Sequence, residues 1–407
     1  MHSRTIISSF LITAALLSAV AACTSSDTTP TTVSPKTTST DGEPTQHAFE
    51  ADHFESGAIV GDVVTEDCTL SGGTVTKCQR VTIAGYPSSY KVGPFCPGTI
   101  TTPAEEAGIW FDGNGVYNLD GNFIANLSTF YNDDEWHMYD SDGNVKVTNT
   151  QEAFEGAARP DVDPLYQNHC VQGRLEWLPG GVPVETTVLI PAQPVKAASA
   201  SSSHPGNLGV TLDGVVIAES APVSAILGAH TIAAFDDCGG HYNPIAGYHL
   251  HGAMGCGHLQ DDHVKGETAM FGYAIDGYPI HLPLDDADLA TADLDECNGH
   301  SSASEGYHYH ANSAAKNAVL PCLMGEFVST AAEGQPQGAP GGAQGGATPP
   351  AMSPADLSSA AAKLGVTVHE LEDALADGPN SNPETVAAVL GVSVADLNAA
   401  LPPRPEG

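Results

Sequence analysis

Apolar positions in this chain fall in short runs broken by Gly, Asp, Asn and Pro, a pattern of strands and tight turns more than of long helices. Around Glu66–Cys78, Gly72-Gly73 separates two β-prone segments bounded by Cys68 and Cys78, which predicts a stapled hairpin. From Ile109 to Val147, apolar-aromatic runs alternate with Asp112-Gly113-Asn114-Gly115, Asp120-Gly121-Asn122 and Asp140-Ser141-Asp142-Gly143-Asn144, which predicts a β-rich region. A further strand pair is expected around Pro179-Gly180-Gly181, and the Ser/Ala/Pro stretch 197–205 reads as a separator.

The pattern then repeats. Gly209-Val210-Thr211-Leu212-Asp213-Gly214-Val215-Val216-Ile217 matches Gly272-Tyr273-Ala274-Ile275-Asp276-Gly277-Tyr278-Pro279-Ile280, in each case a strand, an Asp-Gly turn and a second strand. Asp237-Cys238-Gly239-Gly240-His241 and Gly247-Tyr248-His249-Leu250-His251 follow the first copy. Glu296-Cys297-Asn298-Gly299-His300 and Gly306-Tyr307-His308-Tyr309-His310 follow the second. A tandem duplication over 209–256 and 272–322 results. In a strand, residues i and i+2 share a face, so His308 and His310 stand side by side with the tyrosines behind them.

After Met324 the composition turns to Gly, Pro, Gln and Ala, a linker over 329–352. Beyond it, Leu364-Gly365-Val366 is echoed by Leu390-Gly391-Val392, and capping patterns at Thr367/Glu370 and Ser393/Asp396 predict two small helical hairpins over 353–407. The fold class expected is therefore mainly β, a disulfide-stapled body built on an internal duplication (51–205 leading into 206–328), with a small C-terminal α-helical module.

Composition narrows the setting. The chain has 49 acidic against 13 basic residues and a formal net charge of −36, which opposes nucleic-acid binding. Arg4 followed by the apolar run from Ile6 to Ala22 reads as a signal peptide over 1–22, too short for a membrane span. Val20-Ala21-Ala22-Cys23 is like a bacterial lipobox, with Cys23 the lipidated residue, 23–50 a Ser/Thr/Pro-rich tether, and the outer membrane or cell surface the destination, since Thr24 rather than Asp follows. Lipid is then the only membrane contact, and a protein partner would be met through the C-terminal repeats. Eight cysteines remain for an exported chain, which implies four disulfides among 105 connectivities. Spacing points to Cys68 with Cys78, Cys238 with Cys256 and Cys297 with Cys322, which leaves Cys96 with Cys170.

Histidine carries the candidate chemistry. His241, His249, His251, His300, His308 and His310 form two triads in which a His-x-His pair follows a third His, the arrangement of a three-imidazole metal site. Imidazole with carboxylate suits Cu(II) first and zinc second. Asp236, Asp237, Asp295 and Glu296, just ahead of the Cys-x-Gly-His elements, are placed to orient the imidazoles, Asp237 and Glu296 above all, or to be ligands themselves, with turn capping as the structural alternative. The Asp140 loop is like the opening of a calcium loop, but Gln151 stands where the bidentate Glu belongs, so a turn is the preferred reading.

The paired Cys-x-Gly-His and Gly-Tyr-His-x-His elements, with Gly-Tyr-Ala-Ile-Asp-Gly-Tyr-Pro-Ile between them, resemble the bacterial YHYH-domain proteins over roughly residues 85 to 325. Leu250 and His281 depart from that pattern, each standing where a Tyr is common. The resemblance implies an exported domain and supplies no reaction. An exported, lipid-anchored metal-binding protein is the function expected. A metal-dependent enzyme, hydrolase or copper oxidase, is the alternative, although neither a nucleophile elbow nor His-Glu-x-x-His is present. A scaffold with structural histidines is the third reading.

Overall fold

The computed structural model describes residues 46–328 apart from 160, 203–205, 261–266 and 304, together with scattered residues between 360 and 400. Cys23, the tether up to residue 45, the linker and most of the two C-terminal helical hairpins lie outside the described residues, whereas residues 46–50, expected as the end of the tether, pack on the body, with Phe49 buried and Gln46 bonded to the Tyr307 backbone. Among the described residues no helix is long and apolar enough to cross a membrane.

The chain is mainly β. Strands β1 (Val64–Thr69) and β2 (Val75–Ile83) form the expected antiparallel hairpin, with Gly73 at φ 89° in its turn. Strands β3 (Ile109–Phe111) and β4 (Val116–Asn118) form a second hairpin, but the chain then leaves the expected β pattern for two short helices, α1 (Gly121–Ala125) and α2 (Leu127–Phe130). Asp120 accepts the amide of Phe123, so Asp120-Gly121 is a helix start, and Ile124 and Leu127 bury against the core. The Asp140 carboxylate accepts the amides of Asp142 and Asn144, which is the hydrogen bonding of a turn.

Helix α3 (Gln151–Ala157) and strand β5 (Cys170–Val171) lead to a second departure. Leu175–Trp177 and Pro179–Gly181 are single 3-10 turns, so only the second half of the expected strand pair exists, as β6 (Thr186–Pro191) beside β2. The supposed separator is partly strand as well. β7 (Lys196–Ser201) pairs through its backbone with the last strand, for which its small side chains give little sequence signal.

The duplicated region supplies β8 (Gly209–Thr211), β9 (Val216–Ile217), β10 (Ile232–Ala233, paired with β5), β11 (Gly240–Asn243) and β12 (Gly247–Leu250). The second copy supplies β13 (Met270–Ala274), β14 (Pro279–His281), β15 (Gly299–Ser302), β16 (Gly306–His310) and β17 (Leu323–Gly325), which pairs with β7. Eight of these strands make one sheet in the order β11-β12-β9-β8-β13-β14-β16-β15. Read outward from its centre, each half runs hairpin strand, hairpin strand, His-x-His strand, Cys-x-Gly-His strand. The halves meet where β8 and β13 pair antiparallel, with Val210 opposite Tyr273. Leu250 pairs with Ile217 in one half as Tyr309 pairs with Ile280 in the other, so the registers correspond.

Val81, Ile83, Val188 and Ile190 of the β1-β2-β6 sheet pack with Val210, Val216 and Tyr273 on one face of this sheet. Ile217, Ile280, Tyr309 and Leu323 pack on the other. The four disulfides join Cys68–Cys78, Cys96–Cys170, Cys238–Cys256 and Cys297–Cys322, the pairing that spacing suggested.

Candidate metal centre

Each triad is assembled by a two-stranded register. His241 lies directly opposite His249 across β11 and β12, and His251 follows two residues on, one step beyond β12 on the same face. His300 lies opposite His308 across β15 and β16 in the same way, and His310 completes that triad. Behind them the motif's other residues hold the strands in place. The Asp236 carboxylate accepts the amides of Cys238 and Gly240 and the hydroxyl of Tyr248. That of Asp295 accepts the amides of Cys297 and Gly299 and the hydroxyl of Tyr307. The tyrosine crosses the strand over the glycine, so a Cβ on Gly299 would meet the Tyr307 hydroxyl at 1.9 Å. The Gly and the leading Asp of the motif are thus there for the tyrosine, and the histidines occupy the free face.

In the first triad the Nε2 atoms of His241 and His249 are 3.1 Å apart, and one ring nitrogen from each of the three histidines lies within 4.8 Å of the others. His249 donates its Nδ1–H to the Gly247 carbonyl (3.0 Å) and His251 its own to the Glu219 carbonyl (2.5 Å). Carbonyls only accept, so these tautomers leave both Nε2 atoms as bare lone pairs turned inward. Phe235, stacked on Phe111 at 4.1 Å, walls the site with its ring 4.7 Å from that of His241 and 5.5 Å from that of His251. Burial holds His249 down to about 4 and keeps His241 and His251 well below the ordinary imidazole range, so all three are neutral at pH 7.

In the second triad a carboxylate joins. Glu267 Oε2 is 3.3 Å from His300 Nε2, 3.0 Å from His308 Nε2 and 3.2 Å from His310 Nε2, while His300 Nε2 is 2.9 and 3.2 Å from those of His308 and His310. His308 donates Nδ1–H to the Gly306 carbonyl and His310 to that of Leu282. Burial lowers His308, and takes His310 down to about 4. Burial works to raise Glu267, but the charges and hydrogen bonds of His308 and His300 outweigh it and keep the carboxyl below its usual range. Behind His308, His281 Nε2 pairs with Glu305 at 3.0 Å, and Glu305 is 3.8 Å from His308 Nδ1.

Residues 187–293 match the family described as YHYH protein. No curated protein and no solved structure matches the chain significantly. The matched span holds the whole first triad and ends before His300; the second triad is linked to the first by the internal repeat and by the shared sheet.

All six histidines singled out in the sequence fall into the two triads, the first inside the matched span and the second beyond it. The triads sit five strands apart on one sheet, a separation of roughly 24 Å at ordinary strand spacing, so they are two sites and not one shared pocket. Asp237 and Glu296 are exposed and lie outside both groups; the neighbouring Asp236 and Asp295 are the turn caps. The carboxylate that does reach a triad, Glu267, precedes β13 in a stretch without a motif, and no short-range pattern marks it. Glu305, next to Gly306, and His281, at the end of β14, were closer to legible signals.

Proposed function

We propose that this protein binds transition-metal ions, one at each histidine triad. The observation that carries the reading is the convergence of Glu267 Oε2 and the Nε2 atoms of His300, His308 and His310, five of whose six separations lie between 2.9 and 3.3 Å. Ligands about 2.0 Å from a tetrahedral ion stand about 3.3 Å apart, close to this spacing. The tautomers support the same reading. With His308 and His310 Nδ1–H given to carbonyls, at most His300 supplies one proton to four inward-facing acceptors. A cation satisfies all four.

A near-tetrahedral set of three imidazoles and one carboxylate favours zinc over Cu(II), which prefers tetragonal geometry, and this reverses the order drawn from ligand type alone. The signal-like N-terminus and Cys23 support placing the metal sites outside the cytoplasm on a lipid anchor, and four disulfides suit an oxidising compartment. Elemental analysis and zinc titration of tag-free protein test the reading. Two ions per chain, and stabilisation by about 2.7 kcal/mol for each site at 100-fold excess over its dissociation constant, reversed by chelator, are expected. Protein that neither carries nor takes up metal would end it.

A further inference from the structure

We infer that the two triads are unequal, that the second fills first with a divalent ion, and that Glu267 sets the difference. The inference rests on the metal-binding reading and goes beyond it by ranking the sites.

The duplication makes the comparison internal. Glu267 stands five residues before Gly272, and five residues before the matching Gly209 the sequence has His204, which carries no negative charge. The matches to His281 and Glu305 are Ala218 and Ala246. Among the described residues the acidic groups at the second triad, Glu267 and Glu305, are therefore features of that half alone. Glu267 touches all three of its imidazoles at 3.0 to 3.3 Å, with a side chain 9% exposed, and Glu305 lies behind His308. Among the described residues the first triad groups with no carboxylate, and its neighbour is the face and edge of Phe235.

A divalent ion placed among three neutral imidazoles in buried surroundings keeps its full double charge there. A buried charge is costly unless paired. At the second triad one carboxylate oxygen at ligand position removes half of that charge and replaces part of the lost hydration. Partners that only orient a ligand change metal affinity by about 10- to 100-fold, so a directly ligating carboxylate is expected to separate the sites by at least about 100-fold.

Cobalt(II) titration of the full chain, followed by visible d–d absorption and calorimetry, reads both steps. The wild type should bind in two steps. His300→Ala should remove the tighter step and His241→Ala the weaker; these are the partly accessible members of their triads, so their loss disturbs packing least. Glu267→Gln, which keeps the shape, should weaken the tight step by about 100-fold and leave the weak step unchanged, and Glu267→Asp should fall between. Two equal steps, loss of the tighter step in His241→Ala, or an unaltered tight step in Glu267→Gln would each overturn the ranking while leaving metal binding intact. No cobalt uptake by the wild type would overturn the metal-binding reading itself.

Discussion

Leu250 stands in the first repeat where Tyr309 stands in the second, and the exchange removes a hydroxyl from a buried aspartate. The Asp276 carboxylate accepts Tyr309 Oη–H at 2.6 Å and the amides of Gly325 and Tyr278. Its counterpart Asp213, 2% exposed, accepts the amide of His258, while its Oδ1 has no partner among the described residues. Leu250 offers no hydroxyl, and Thr211 Oγ1 takes the Val215 amide that would match Tyr278.

The two aspartates should respond differently to the same change. Asp276→Asn gives up charge-assisted bonds from three donors and should lose at least about 1.5 kcal/mol more than Asp213→Asn, whose carboxylate accepts only the His258 amide among the described residues. Urea unfolding of the two variants checks this. Equal losses would mean that Asp213 is as well held as Asp276.

Acid should destabilise the metal-free protein before carboxylates in general titrate. His249 and His310 are held at about 4 in the fold, against an ordinary value of 6.5. Between those limits the unfolded chain binds the extra protons, so the stability they confer is complete above pH 6.5 and drains away as pH falls toward 4. Each adds a slope of up to about 1.4 kcal/mol per pH unit. Asp276, raised to about 6 by burial, has the opposite sign and offsets one of them. His241, His251 and His308, also lowered, keep the net effect a loss. Urea midpoints at pH 7, 6 and 5 should fall in that order; a midpoint that holds or rises would contradict the neutral, buried triads.

Much of this arrangement could be read from the chain. The triads were legible because both signals are local, an i, i+2 pair and a hairpin that brings the third histidine opposite. The disulfides were legible because three of the four close short loops. Glu267 was not, since it meets His300 from 33 residues away through tertiary packing alone. The helices at Gly121–Ala125 and Leu127–Phe130 were missed because an Asp-Gly pair starts a helix as readily as it turns a hairpin. β7 was missed because Lys196–Ser201 forms a strand through its pairing with β17 and not through its own side chains.

Gly299→Ala should damage the second site without touching a ligand. The new Cβ would press on the Tyr307 hydroxyl and ring, push the tyrosine off Asp295, and shift the neighbouring His300. A loss of about 1–3 kcal/mol, from overpacking, is expected together with weaker metal uptake at that triad. Gly240→Ala should do the same to the first triad through Tyr248, whose hydroxyl a Cβ would approach to 2.4 Å. Calorimetric titration of each variant should show one step altered and the other kept; normal binding in both would show that the tyrosine clamp does not position the histidines.

Reduction should loosen both sites together. Cys238–Cys256 encloses His241, His249 and His251, and Cys297–Cys322 encloses the other triad. Replacing either pair by serine should cost about 2–4 kcal/mol and weaken metal at the enclosed triad more than at the distant one. Site-resolved titration decides it, and an unchanged affinity would confine these disulfides to a role in stability.

The contact between Val210 and Tyr273 has a meaning outside this chain. Because β8 and β13 pair antiparallel about that point, the duplicated halves are joined as two separate molecules would be in a self-complementary dimer. A chain with one such repeat could build the same eight-stranded sheet by meeting its own copy edge to edge. Covalent fusion of the halves frees each to change alone, and only a fused chain could keep Tyr309 and Glu267 in one half while carrying Leu250 and His204 in the other.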